Sequence, residues 1–219
     1  MLPHAFVQAG TRTVTVKVTD KDGGTDTTTF PVNVSGTGLS ASLAGAGTTP
    51  EGSTFQLTVA TSADVSEYTI DWGDGSAPQT FPRAGGSDVR SHVYADGPAQ
   101  FTIALDVTAG GVSYPALVTR PVTVANAAAT LTQSSAAVTT VVGTTAQNSG
   151  TWADPGLDTV TLTASVGTVT QLPNGTWTWS HSPMAVQTAQ IVTITATDSD
   201  GAVSTTTFTL TVTAAPTAT

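Results

Sequence analysis

Thr19-Asp20-Lys21-Asp22-Gly23 returns 178 residues later as Thr197-Asp198-Ser199-Asp200-Gly201. The return extends well beyond these five positions. Val14 to Val34 lies over Val192 to Val212 without a gap, and 11 of the 21 positions are identical. Each copy alternates apolar residues with Thr, passes through Asp-x-Asp-Gly, continues as Thr-Thr-Thr-Phe and alternates again. Alternation places Val14, Val16 and Val18 on one face of a strand. The turn brings Phe30, Val32 and Val34 back on the same face, so the stretch is read as a β-hairpin. An offset of 178 is twice 89, and a weaker copy sits midway: Phe101 to Thr108, a Gly110-Gly111 turn, then Val118 to Val124. Repeats of about 90 residues match the size at which a β-sandwich builds its own core.

The composition agrees with an all-β chain. Thr, Val and Ala dominate, 21 Gly and 12 Pro punctuate, only 10% of the 219 residues are charged, and no run has helical periodicity. Thirteen of the fifteen acidic residues are Asp, which favours turns and hard-cation sites. A net charge of −9 argues against nucleic acid as a partner. No apolar run reaches transmembrane length, so no membrane span is expected. The absence of cysteine removes disulfides, thiol nucleophiles and thiolate metal sites. Low Lys and Glu with high Thr, Gly, Asp and Ala fit an exported, cell-surface bacterial protein. Met1-Leu2-Pro3-His4 carries neither a basic nor an apolar leader segment, so no signal peptide is read there.

Along the chain, residues 1–37 read as the late half of a repeat. His4-Ala5-Phe6, Gly10 and the hairpin follow the pattern of His92-Val93-Tyr94, Gly97 and the second hairpin. The expectation is a truncated repeat of a longer protein, with completion by a partner strand as the rival. Residues 38–125 form a full unit with strands at Leu39–Leu43, Phe55–Val59 and Tyr68–Trp72, separated from one another by loops that include 45–52. Tyr68, Ile70, Trp72, Tyr94, Ile103 and Leu105 are its expected core. Residues 126–215 form a third unit, with a strand at 159–164, a hairpin around Pro173-Asn174-Gly175, and Thr176-Trp177-Thr178-Trp179 on its second arm. Residues 216–219 read as a linker or a cut end.

The middle unit resembles the PKD domain. The resemblance rests on Asp71-Trp72-Gly73-Asp74-Gly75-Ser76, then Ser91-His92-Val93-Tyr94, Gly97 and the alternating hairpin. It implies an immunoglobulin-like antiparallel sandwich, present in several copies in extracellular proteins. Where the pattern closes on an Asp, this unit has Ala109. The third unit departs further. Its Asp154-Pro155-Gly156-Leu157-Asp158 ahead of a strand and its closing Asp198-Ser199-Asp200-Gly201 resemble the cadherin-like repeats of large bacterial surface proteins.

Calcium is the sharpest chemical expectation, because a hard cation needs several converging carboxylate oxygens. Asp154, Asp158, Asp198 and Asp200 are the candidate ligands, and no Lys or Arg follows Arg120 to compete for them. Asp20, Asp22 and Asp26 repeat the pattern more weakly, and the middle unit has lost it. The competing reading makes every one of these Asp residues a turn former bonded to backbone N–H groups. Asp71 and Asp74 are assigned to turns, and Glu51 and Glu67 to a loop and a strand approach without a role. His4, His92 and His181 lie in separate units with no adjacent carboxylate or nucleophile. No Gly-x-Ser-x-Gly elbow occurs, and the chain is read as no enzyme, requiring no cofactor. Asn33-Val34-Ser35 and Asn174-Gly175-Thr176 match the glycosylation triplet, a weak signal.

Two non-catalytic functions are left. One is a structural spacer or adhesion module whose partners are neighbouring repeats of the same chain or an extracellular protein. The other is a polysaccharide-binding accessory module of a secreted enzyme. Trp177 and Trp179 share a strand face and discriminate between them: an outward pair would stack on sugars, an inward pair is core.

Overall fold

The computed structural model describes residues 10–34, 38–83 and 86–216. These contain eighteen β-strands and no helix. The matches at His4-Ala5-Phe6 and Ser35, and residues 217–219 of the tail, lie outside the described residues. The chain divides into two compact units. One holds 1–45, 56–90 and 102–121; the other holds 46–55, 91–101 and 122–219.

In the first unit, β1 (Gly10–Thr19) and β2 (Thr25–Val34) form a two-stranded antiparallel sheet with Val14 opposite Phe30, as the alternation requires. Its turn is built by Asp20, whose Oδ1 accepts the N–H groups of Asp22 at 3.0 Å and Gly24 at 2.7 Å. Val18 is 63% exposed and Phe30 46%, so the apolar stripe of this hairpin stays open.

The same unit holds most of a sandwich. One sheet runs β4 (Thr48–Pro50), β10 (Val112–Ala125), β9 (Ala99–Ala109), β6 (Val65–Asp71), β7 (Gln79–Pro82). The other runs β3 (Ala41–Gly45), β5 (Thr54–Thr61), β8 (Ser87–Val93). The division between the units passes along β5, β8, β9 and β10. Alternate residues of β5, β6 and β9 are fully buried: Leu57, Val59, Tyr68, Ile70, Ile103, Leu105 and Val107. Trp72 is buried as well, and its indole N–H donates to Gln79 Oε1. At the flank, Tyr68 Oη donates to Asp88 Oδ2 and accepts from Arg90 Nε, both at 2.8 Å.

The second unit contains a complete sandwich. Its sheets are β11 (Thr130–Gln133), β13 (Ala146–Ala153), β16 (Thr176–His181), β15 (Thr168–Leu172) and β12 (Ala137–Val141), β18 (Val203–Thr213), β17 (Gln187–Thr197), β14 (Thr161–Ala164). One buried cluster joins Trp177 and Trp179 of the first sheet to Val192, Ile194, Phe208, Leu210 and Val212 of the second. The indole N–H groups reach the carbonyls of Thr132 and Val166, so both tryptophans are packed and hydrogen-bonded inside. Also in this unit, Tyr94 stacks on Phe101 with ring centroids 5.2 Å apart and meets Phe55 edge-on.

The sheets are antiparallel except at two edges, where β4 pairs parallel with β10 and β12 with β18. The sequence reading placed 45–52 in a loop. β4 is three residues long, ends in Pro50 and acquires its register from β10, some 75 residues away, so no local alternation announces it.

Candidate metal centre

The β17–β18 turn reproduces the β1–β2 turn atom for atom. Asp198 Oδ1 accepts the N–H groups of Asp200 at 3.1 Å and Ala202 at 2.8 Å. Gly201 has φ 90° where Gly23 has 89°, a conformation that favours glycine. Asp71 and Asp74 act likewise, accepting from Gly73 and Ser76. Asp154 Oδ1 accepts from Gly156 at 2.9 Å. Each of these aspartates therefore uses one oxygen as a turn former, and the question is what the other oxygen does.

For Asp20 it faces solvent on an exposed hairpin. Asp22 pairs with Lys21 at the surface, and Asp26 accepts from the N–H of Thr27. Among the described residues these three belong to no converging carboxylate group.

The second unit is different. Glu51, Asp154 and Asp158 each bring a carboxylate oxygen within 4.8 Å of the other two, and so do Asp96, Asp158 and Asp200. Asp158 belongs to both trios. The four aspartates expected from the sequence thus divide: Asp154 and Asp200 fall in different trios, Asp158 links them, and Asp198 is in neither. Asp198 lies beside them nonetheless, since its charge acts on both Asp154 and Asp200. Asn126 Nδ2 donates to Asp198 Oδ1 at 3.2 Å, and Ser199 Oγ donates to Asp158 Oδ1. None of the acids in the trios forms an ion pair with a basic side chain among the described residues.

Glu51 and Asp96 were missed by the sequence reading. Glu51 is fully buried, which for a carboxylate demands partners. Its Oε2 accepts the Gly97 N–H at 2.6 Å and its Oε1 the Ala127 N–H at 2.8 Å. Around it the backbones close tightly. A Cβ on Gly156 would sit 2.6 Å from the Glu51 carboxyl carbon, and one on Gly52 would meet the Pro155 carbonyl oxygen at 1.9 Å. Leu157 N–H also donates to the Ala95 carbonyl at 3.0 Å. The signal available in the sequence was Pro50-Glu51-Gly52 itself, one of only two glutamates in a chain that otherwise uses Asp.

Burial pushes the Glu51 carboxyl above its ordinary value. The Ala127 and Gly97 hydrogen bonds pull the other way, and the charges of Asp158 and Asp154 add to the rise. Asp154 is raised by burial first, then by Asp158 and Asp198. Asp200 is raised by desolvation of its carboxyl, then by Asp158, Asp96 and Asp198. Every neighbouring charge named here is negative.

The oxygens fit a hard cation. Asp154 Oδ2, Asp158 Oδ2, Asp198 Oδ2 and Asn126 Oδ1 are buried without a hydrogen-bond donor. A buried unpaired acceptor costs about 1–3 kcal/mol, and calcium takes six to eight such oxygens in flexible geometry. Asp154 and Asp158 would hold the ion with Glu51, and Asn126 and Asp198 lie at hand as further oxygen donors.

No family model matches the chain, and no curated protein matches it. Solved structures do, at low identity. The titin domains Z1Z2 in complex with telethonin share 15% identity over 83% of this chain and 100% of that one, with a TM-score of 0.39. Invasin, a bacterial integrin-binding protein, shares 14% over 82% of this chain and 40% of that one, with a TM-score of 0.46. The fibronectin(III)-like modules of Clostridium thermocellum CbhA share 12% over 80% of this chain and 95% of that one, with a TM-score of 0.32.

Proposed function

We propose that this chain is a non-catalytic segment of tandem immunoglobulin-like repeats: a structural spacer or adhesion module of a large secreted or surface bacterial protein. Residues 38–125 and 126–215 are taken as its two full repeats and 1–37 as part of a third. Calcium, held by Glu51, Asp154 and Asp158, ties the loops of the second unit together. The observation that carries this reading is Glu51. A buried carboxylate that clamps Gly97 on one side and Ala127 on the other joins segments far apart in sequence. A spacer needs such joints, because resistance to load depends on each repeat holding its neighbour.

The polysaccharide-binding alternative loses the feature that favoured it, since Trp177 and Trp179 are core and offer no stacking platform. The partners this reading implies are the neighbouring repeats of a longer chain. Force spectroscopy on the full chain tests it. Discrete unfolding peaks are expected, higher in millimolar calcium than in chelator. A featureless extension would defeat the spacer reading, and equal peak heights would remove calcium from it.

A further inference from the structure

The backbone around Glu51 has a counterpart at the opposite pole of the third repeat. β4 ends with Pro50 opposite Ala125, and the next N–H, from Glu51, donates to the Ala125 carbonyl at 3.0 Å. β12 ends with Val141 opposite Thr213, and the next N–H, from Val142, donates to the Thr213 carbonyl at 3.0 Å. The glycine that follows repeats as well. Gly52 N–H reaches the Tyr94 carbonyl and Gly143 N–H the Pro183 carbonyl, both at 2.9 Å, with φ of 63° and 82°. Val142 thus stands where Glu51 stands, and Met184, Ala185 and Val186 take the places of Ala95, Asp96 and Gly97. β17 (Gln187–Thr197) separates this pole from the Asp198 turn by about 35 Å of extended chain.

The first of the two surfaces is covered within the second unit. Leu157 N–H donates to the Ala95 carbonyl, and the Pro155 carbonyl oxygen lies 1.9 Å from where a Cβ on Gly52 would be. Glu51 and Gly97 are buried there. At the second surface a Cβ on Gly143 would meet nothing within 4 Å, Met184 is 84% exposed and Val186 58%. Its chemistry differs too. Val142 and Ala185 replace the two carboxylates, and neither 142–145 nor 182–186 contains a charged residue.

Poles that could meet such surfaces come in two kinds. That of the third repeat is acidic, with Asp154, Asp158, Asp198 and Asp200. In the middle repeat Ser62 follows β5 where Asp154 follows β13, and β9 closes as Ala109-Gly110-Gly111 where β17 leads into Asp198-Ser199-Asp200-Gly201. Asp64, the one acid of 62–65, is exposed. Four aspartates laid on Val142 and Ala185 would lose water and gain no compensating group, which is costly for charge. The uncharged kind meets no such penalty.

We propose that Val142, Gly143, Met184 and Val186 form a docking surface for a further immunoglobulin-like repeat with an uncharged pole of the middle-repeat kind, closed by apolar contact and without a cation. The inference rests on the tandem-repeat reading above and adds the surface, its partner and its chemistry. The arriving loop sets a backbone carbonyl against Gly143 and an N–H on the Met184 carbonyl, as Pro155 and Leu157 do on Gly52 and Ala95. Met184, unbranched and polarizable, shapes itself to the incoming side chains. Charge at the poles then sorts which repeat follows which, by penalising the wrong pairing.

Extended chains test this. Residues 35–125 or residues 125–215 are joined after Val212, the registers in which the chain itself continues from Val34 and Val124. The appended 125–215 carries Met184→Leu, so that one Met184 is read. Oxidation by dilute hydrogen peroxide with peptide mass spectrometry reports how far Met184 is covered, and tryptophan fluorescence reports folding of the appended repeat. Oxidation about tenfold slower than in the parent is expected with 35–125, equally in calcium and in chelator, and a rate close to the parent's with 125–215. An unchanged rate beside a folded 35–125 overturns the docking surface. So does an appended 35–125 that fails to fold although the same residues fold after Val34. Protection by both repeats overturns the matching of poles, and protection confined to calcium overturns a joint without a cation. Each of these results leaves the spacer reading to the force–extension curves.

Discussion

Glu51 Oε1 accepts the backbone N–H of Ala127 at 2.8 Å, across 76 positions of chain. The other oxygen of the same carboxylate takes the N–H of Gly97 at 2.6 Å. One side chain thus satisfies two backbone donors that no strand pairing covers.

Removing that side chain leaves both donors unpaired, the Gly97 N–H in a buried setting and the Ala127 N–H in a part-buried one. Glu51→Ala is expected to destabilise the second unit by about 3 kcal/mol, the scale for losing hydrogen bonds to a charged group. Relief of repulsion from Asp154 and Asp158 offsets part of it in the absence of metal. Urea denaturation followed by tryptophan fluorescence measures the loss. A change near zero would mean that the clamp contributes nothing net.

Gly156 is held against the Glu51 carboxyl. Gly156→Ala places a methyl 2.6 Å from its carbon, with Glu51 fixed by two hydrogen bonds, so the clash cannot be relieved by rotation. A cost of about 1–3 kcal/mol follows for overpacking of this kind. Gly47→Ala, where a Cβ meets nothing within 4 Å, is the control and should be far milder.

Calcium should raise the melting temperature of the full chain, and Asp158→Asn should abolish the gain. At one hundred times its dissociation constant a ligand adds about 2.7 kcal/mol to the state that binds it. Asp20→Asn serves as the contrast: its turn has the same form but, among the described residues, no converging carboxylates, so the calcium shift should survive it. Identical melting in calcium and chelator would reduce the aspartates to turn formers.

In chelator the pH dependence should run against the usual direction of acid denaturation. Glu51 and Asp154 have folded-state values raised above their ordinary ones by burial and neighbouring charge. A raised group holds its proton more tightly when folded. Its contribution is fully present below the unfolded value and is lost as pH climbs through the folded one. Lowering the pH from neutrality into the upper carboxylate range should therefore stabilise the metal-free second unit. In saturating calcium the trend should reverse, because protons compete for the ligand oxygens. Melting curves at several pH values in each buffer provide the check.

The β1–β2 hairpin exposes Val16, Val18 and Phe30, while the matching stripe of β17 and β18 is covered by Trp177 and Trp179. Amide exchange across 14–18 should be much faster than across 103–107. Equal protection in a monomer would show that something covers the stripe.

Much of this architecture was legible in order of residues alone. Period-two alternation and a repeated Asp-x-Asp-Gly turn are local patterns, and local geometry follows from them. Val14 does face Phe30, Asp20 and Asp198 build the same turn, and Tyr68, Ile70, Trp72, Tyr94, Ile103 and Leu105 are all buried. The share of function written in those patterns is small, because an Asp that closes a turn and an Asp that holds a cation look alike in sequence. What separates Asp20 from Asp198 is company. Asp198 stands beside Asp154, Asp158 and Asp200, whereas Asp20 stands near solvent. Glu51 and Asp96 join that company through loops distant in the chain, at positions where no spacing rule applies. The parallel edges β4 and β12 escaped notice for the same reason: their register belongs to β10 and β18. The chain's own order determined the strands and turns. Only the folded structure decided which turns meet, because convergence of charge is a property of distance in space.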